Sequence, residues 1–326
     1  MGKRKNSLKK KYKNGIISLI VFIFLCITGY FGTNYYNNST NNIADNRTQI
    51  TSSSSIENSE LIDFNNDKLN IAFFYVGQAD STFIKFNDFT MLIDAGNNAD
   101  GEKVVEFLNE KGINEIDYLI GTHADEDHIG GLDDVIKGMD SIGKLYIPTI
   151  GSEGTDYKNA INAAEEKNVA IENPTVGDTF YLGDVKCEIM SVMEEADVSD
   201  NNSSIVIQMN YNKTSYLFMG DAEKEVENSR QWNRVDVLKV GHHGSNSSSS
   251  DDFLTQVKPQ YSIIEVGKNN SYNLPSSKAI ERLENAGSKV LRTDKADGEN
   301  VGSFWLTSDG STIDIKEVNI NLDGNS

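Results

Sequence analysis

Thr122-His-Ala-Asp-Glu-Asp-His-Ile-Gly-Gly131 is the stretch on which the fold turns. His123, Asp125, Asp127 and His128 place two imidazoles and two carboxylates within six residues. They follow the short apolar run Ile116-Asp-Tyr-Leu-Ile120, which reads as a buried strand. A loop at the end of a strand can curl its side chains about one point. Mixed imidazole and carboxylate donors suit Zn²⁺, Mn²⁺ or Fe²⁺. Positions 123 and 125 project to one side of an extended turn, while 127 and 128 can reach a second point. Two metals about 3.5–4 Å apart fit such a set and could activate a bridging water. A helix N-terminus capped by Asp125 or Asp127 is the plainer alternative. A cap needs one such residue, not two Asp and two His ahead of Ile129-Gly-Gly131.

The chain has four histidines, and the other two are His242 and His243. They stand in Leu238-Lys-Val-Gly-His-His-Gly-Ser245, again directly after an apolar run. Either imidazole could complete a metal shell while the other protonates a leaving group. His243 stands as the metal candidate and His242 as the catalytic one, although spacing alone leaves the pair interchangeable. Asp127 is both a metal candidate and a catalytic candidate. Asp94, at the end of Thr90-Met-Leu-Ile-Asp94, is placed to orient a histidine of the loop from behind. Gln78 and Asp80, in Val76-Gly-Gln-Ala-Asp80, are candidates for the edge of the site.

Further elements read in order along the chain. Strands are expected at Leu69–Val76, Ser81–Phe86 and Thr90–Asp94, then a helix at Gly101–Lys111 that stops at Gly112. After the His123 loop a helix is expected to start near Gly131. Strands follow at Lys144–Pro148, Thr179–Leu182, Val185–Val192, Ser204–Met209 and Ser215–Met219. Helices at Ala222–Glu227, Asp252–Gln256 and Ser277–Ala286 alternate with strands at Val235–Val240, Tyr261–Val266, Lys289–Arg292 and Gly302–Leu306. Runs of strands mixed with helix–strand alternation fit two packed sheets with helices outside.

The first 66 residues differ in texture. Residues 1–14 carry seven basic and no acidic side chains and read as a cytoplasmic tail. Residues 15–33 contain the uncharged run Ile16–Phe31 and approach the ~20 residues needed to span a bilayer. The basic flank orients such an anchor with the rest of the chain outside the cell. A cleaved signal peptide is the rival, but bulky Tyr30 and Phe31 follow the apolar run. Residues 34–66, rich in Asn and Ser, read as a disordered linker. The folded domain is expected over residues 67–318, with 319–326 as a tail. The formal net charge is −19 although seven of the 30 basic residues lie in the first fourteen, so the remainder is strongly acidic. That excludes a bulk surface built for sequence-independent grip on DNA. Cys26 lies in the apolar N-terminal run and Cys187 in the body of the chain, so no disulfide framework is expected.

The His123 loop resembles the signature loop of the metallo-β-lactamase fold superfamily, with Asp125 in place of the second His of its commonest version. That replacement resembles the soluble hydrolase domain of the ComEC competence-protein family. Leu92-Ile-Asp-Ala-Gly96, Leu217-Phe-Met-Gly-Asp221 and the His242-His243 run agree in order, over roughly Leu69 to Ile315. The resemblance implies a four-layer αββα sandwich holding two divalent metal ions, Zn²⁺ or Mn²⁺, at one edge. It implies ligand roles for His123, Asp125, Asp127, His128, Asp221 and His243, with Asp221 bridging the metals. Two positions depart from the commonest pattern: Asp200-Asn-Asn-Ser-Ser204 has no His, leaving Asn202 as a supporting residue, and Leu274 stands where a His-Pro pair is usual. The function expected is a membrane-anchored, extracellular, metal-dependent phosphodiesterase or nuclease, with a phosphodiester, DNA among the candidates, as substrate. The alternatives are a hydrolase of cell-envelope esters and a non-catalytic binding module of the same fold. No protein partner is inferred.

Overall fold

The outermost strand of the first sheet comes from a stretch that reads as linker. In the computed structural model, Gln49–Asn58 forms β1, which pairs in parallel with the last strand through Gln49–Thr312 to Asn58–Asn319. The structure describes the backbone of residues 49–58, and residues 63–326 apart from 196, 197, 297 and 299. The expected basic tail and membrane anchor, and part of the expected linker, lie outside the described residues. Among the described residues no helix is long and apolar enough to cross a membrane.

The remaining strands are β2 (Leu69–Phe73), β3 (Thr82–Phe86), β4 (Phe89–Ile93), β5 (Glu115–Ile120), β6 (Ser141–Tyr146), β7 (Ala170–Glu172), β8 (Thr179–Leu182), β9 (Val185–Ser191), β10 (Val206–Tyr211), β11 (Thr214–Phe218), β12 (Val237–Lys239), β13 (Tyr261–Ile264), β14 (Lys289–Arg292), β15 (Ser303–Ser308) and β16 (Thr312–Asn319). They form two sheets, ordered β1-β16-β15-β2-β3-β4-β5-β6-β7 and β14-β13-β12-β11-β10-β9-β8. The first sheet is antiparallel from β16 to β4 and parallel from β4 to β7, with β1 added in parallel at its other edge, and the second is antiparallel from β8 to β11 and parallel from β11 to β14. Among the described residues the α-helices are α1 (Gly101–Glu110), α2 (Glu126–Ile129), α3 (Leu132–Gly138), α4 (Thr155–Glu166), α5 (Lys224–Asn228), α6 (Asp251–Val257) and α7 (Ser277–Asn285).

Side-chain alternation along the strands builds three apolar layers. In β2 and just beyond it, Leu69, Ile71 and Phe73 enter the core between the sheets, while Ala72, Phe74 and Val76 face the helices. In the second sheet Ile205, Ile207 and Met209 point to the inter-sheet core and Val206 points outward. Strands covered on both faces need continuous apolar runs rather than alternation with polar residues. Each such side chain contributes about 1.5–3 kcal/mol on burial. Helices α1, α3 and α4 lay Val104, Leu108, Val135 and Ala160 on the first outer layer. Helices α5, α6 and α7 lay Val226, Phe253 and Leu283 on the second. The expected two-sheet sandwich with outer helices is the observed one.

Several elements escaped the sequence. Helix α4 buries only Ala160, Ala163 and Ala164, a face too weakly apolar to show as a periodic stripe. Strand β7 is three residues long and exposed at two of them. Strand β16 extends the chain's ordered part past residue 318, and the expected tail packs down: Ile320 and Leu322 are buried and the Gly324 N–H donates to Asp100 Oδ1 at 2.8 Å. Cys187 is buried and free.

Candidate metal centre

The site lies where β4, β5, β11 and β12 end together. Asp94 follows β4, Thr122-His123 follows β5, Asp221 follows β11 through Gly220, and His242-His243 follow β12. Close backbone approach explains the local glycines. A Cβ on Gly131 would meet the Ala95 carbonyl oxygen at 2.3 Å and Gly101 Cα at 2.7 Å, so only glycine lets the His123 loop press onto the β4–α1 connection. Three functional residues adopt left-handed backbone without being glycine: Asp94 (φ 58°), His242 (φ 48°) and His243 (φ 48°). Such residues cost energy and persist where the surroundings hold them, typically at functional sites.

Asp125 does occupy the N-cap position of α2, but its side chain makes no capping hydrogen bond. Its carboxylate instead stands 3.4 Å from His123 Nε2. His128 joins the two halves of the loop's ligand set. Its Nε2 lies 3.2 Å from Asp221 Oδ1, and its ring is 4.1 Å from that of His123 and 5.3 Å from that of His243. His243 Nε2 lies 3.2 Å from Asp127 Oδ2 and 3.6 Å from Asp221 Oδ2. Four triads of mutually close donor atoms result, His123–His128–Asp221, Asp127–His128–His243, Asp80–Asp94–His128 and Asp80–Asp221–His243, three of them containing His128.

The imidazoles are held from behind. Asp94 accepts from the Thr122 N–H and hydroxyl, each at 2.8 Å, and pairs with His128 Nδ1 at 2.8 Å. His243 Nδ1 meets the Glu265 carbonyl oxygen at 2.9 Å. Both rings therefore present Nε2 to the interior of the site. Yet His123 Nε2, His128 Nε2 and Asp221 Oδ1 are buried and hydrogen-bonded to nothing. Buried polar atoms without partners are rare and call for an explanation. His243 Nε2 and Asp127 Oδ2 bond to one another, at 3.2 Å, and a cluster of donor atoms 3–4 Å apart with three left unbonded fits the shell of a divalent cation.

The electrostatics agree. Burial would push the imidazolium forms of His128 and His243 to lose their protons, but Asp221, with Asp94 and Asp127 around His128 and Asp80 beside His243, raises both well above the ordinary histidine value. Asp221 is correspondingly held well below the usual carboxylate range, the two imidazoles outweighing its burial. Asp127 shifts the same way, His128 and His243 opposing burial.

Asp80, expected at the edge, lies beneath the site. It is buried, forms an ion pair with Lys239 Nζ, and places Oδ1 3.2 Å from His243 Nδ1. Glu265 lies beside Lys239: its side-chain oxygens accept from the Ser81 N–H at 3.1 Å and the Thr82 hydroxyl at 3.0 Å. Burial and Asp80 raise the Glu265 carboxyl well above its ordinary value. Gln78 lies at the rim, where Oε1 accepts from the Gly267 N–H at 3.1 Å. Asn202 is turned to the β11–α5 connection, its Oδ1 accepting from the Glu223 N–H at 3.0 Å. Leu274 packs against the outer apolar layer of the second sheet and brings no donor atom. His242 is the accessible histidine: Nδ1 pairs with Glu223 Oε1 at 3.0 Å and Nε2 is 3.8 Å from Asp221 Oδ2. Lys239, Glu265 and Glu223 were missed. The first two carry a legible signal, since each is a charge in or just after an apolar strand, where it must be paired.

Two facing sheets, outer helices and a His/Asp cluster at one sheet edge define a metallo-hydrolase fold. The chain belongs to the metallo-beta-lactamase superfamily, whose profile matches residues 74–267. It is 39% identical over 231 residues to ComE operon protein 3 of Bacillus subtilis, a match covering 67% of this chain and 30% of that protein. Recombination protein 2 of Haemophilus influenzae is 32% identical over 225 residues, covering 67% of this chain and 27% of the relative. Competence protein ComA of Neisseria gonorrhoeae is 30% identical over 224 residues, covering 67% and 30%. The matched region is therefore less than a third of each relative's length.

Proposed function

We propose that this chain is a metal-dependent phosphodiesterase, held at the membrane by its N-terminal segment with the hydrolytic domain outside the cell. The observation that carries the proposal is the set of unpartnered, converging donor atoms on His123, His128 and Asp221, beside Asp127 and His243. His123, Asp125 and Asp221 would hold one cation, and Asp127, His128, His243 and Asp221 the other. Bound there, divalent cations supply Lewis acidity that polarises a phosphoryl oxygen and acidifies water. The residues do the rest. Asp94 and the Glu265 carbonyl fix the orientation of His128 and His243. With Nδ1 engaged by Glu223, His242 is left with Nε2 to pass a proton to a departing alkoxide. Three imidazoles and three carboxylates make a mixed nitrogen and oxygen donor set that suits Zn²⁺ or Mn²⁺. The relatives named for competence and recombination support the same direction.

The test incubates the full-length chain with Mn²⁺ or Zn²⁺ and three substrates: bis-p-nitrophenyl phosphate, DNA and a choline-phosphate ester. Turnover of the phosphodiesters that is lost with a chelator and restored by metal is expected. No turnover with any metal would refute the proposal.

A further inference from the structure

A cavity of about 480 Å³ opens directly beside Asp127. It falls within the ~300–1,000 Å³ of small-ligand sites. Its walls include Gln78, Asn97 and Asn98, and its outer rim carries Tyr272. At 71% exposure Tyr272 is the most exposed large hydrophobic side chain among the described residues.

The loop that displays this ring is firmly held. All four hydrogen-bonding positions of the Asn270 amide are used: Oδ1 accepts from the Tyr272 N–H at 3.1 Å and the Leu274 N–H at 3.0 Å, and Nδ2 donates to the carbonyls of Gly267 at 2.9 Å and Leu274 at 2.7 Å. The base of the loop is fastened to the opposite wall, because Gly267 N–H donates to Gln78 and a Cβ on Gly267 would meet Gln78 N at 2.6 Å. A rigid loop that holds an aromatic ring in water, at the mouth of a cavity leading to a metal centre, is built to meet a ligand.

The charge of the cavity narrows the ligand. Its charged lining residues, Glu126, Asp127 and Asp323, are all acidic. A duplex is gripped through Lys and Arg on its phosphates, which this cavity does not offer among the described residues. Neutral amides and one π face instead suit a flat heterocycle with donors and acceptors on its edge.

Resting on the phosphodiesterase reading above, we infer that Tyr272 is a stacking platform for an unpaired nucleobase next to the scissile phosphate, making this a site for single-stranded rather than duplex substrates. The phosphate is met at the metal centre alone, and the base supplies the rest of the recognition.

The experiment measures anisotropy of a short fluorescein-labelled phosphorothioate single strand titrated with the full-length chain in Mn²⁺. Tyr272→Ala should bind roughly 5- to 150-fold more weakly than the parent. Tyr272→Phe, which keeps the π face, should stay within about twofold. An abasic strand should bind both proteins with equal, weak affinity, and the matched duplex should bind less tightly than the single strand. Unchanged affinity in Tyr272→Ala, or a duplex bound as tightly as the single strand, overturns the inference. The phosphodiesterase reading is scored separately: if the parent cleaves a phosphodiester while Tyr272→Ala binds normally, only the stacking role falls. If the parent cleaves none, both fall.

Discussion

Replacing Asp94 by Asn isolates the support behind the metal loop. The backbone tolerates it, since Asp94 sits at φ 58° and Asn accepts the left-handed region. An Asn oxygen in the place of Oδ1 keeps the 2.8 Å bond from the Thr122 N–H. The amide nitrogen then stands where Oδ2 faced His128 Nδ1 at 2.8 Å, a donor against a donor. The imidazole must either lose that bond or move its proton to Nε2, the atom aimed into the site. A hydrogen bond to a charged group contributes about 1.5–3 kcal/mol. Loss of a group that orients a metal ligand costs about 10–100-fold in affinity, or roughly 1.4–2.7 kcal/mol, so the two estimates agree. Competition titration of Zn²⁺ or Mn²⁺ against a chromophoric chelator reads the change directly. An Asp94→Asn protein that binds metal within twofold of the parent would show that His128 needs no such support and that the reasoning is wrong.

Metal binding should also depend on pH. In the metal-free protein, His128 and His243 are raised, so the stability they contribute is complete below about pH 6.5 and is lost as pH rises through their folded values. Asp127 and Asp221 are lowered, so their contribution is present above about pH 4 and is lost as pH falls through their folded values. Cations must displace the histidine protons, so the metal-induced rise in Tm should be larger at about pH 8.5 than at about pH 6. An equal rise at both would contradict the proton exchange. Lys239→Met leaves Asp80 buried without its cation and should cost about 3–5 kcal/mol, with part of the loss recovered in the Asp80→Asn/Lys239→Met double variant; urea unfolding checks both. Ile207→Ala opens a hole between the sheets and should cost about 2–5 kcal/mol, lowering Tm by roughly 4–20 °C in calorimetry.

The sequence disclosed what chemistry forces to be local. The His123 loop, Asp221 and the His242-His243 pair each end an apolar strand, so their types and positions show without coordinates. What stayed hidden depends on contacts between distant segments. Asp80 is two residues from Gln78 in sequence, but only the folded chain shows that one lies beneath the imidazoles with Lys239 while the other faces the cavity. Which histidine of the 242–243 pair turns inward is settled by a left-handed turn that no residue type announces. Helix α4 was silent because alanine carries little periodic signal, and β1 because its polar residues find their partner in β16, more than 250 residues on.

The convergence of β4, β5, β11 and β12 on one edge has a kinetic consequence. The donors come from both sheets and from positions as far apart as His123 and His243, so neither sheet alone can assemble the centre. Cations therefore favour only chains in which the two sheets have already docked, adding to the stability of that state by mass action. Pairings this distant form slowly. Metal uptake should then trail the formation of secondary structure in a refolding experiment, which makes it a clock for the last step of folding.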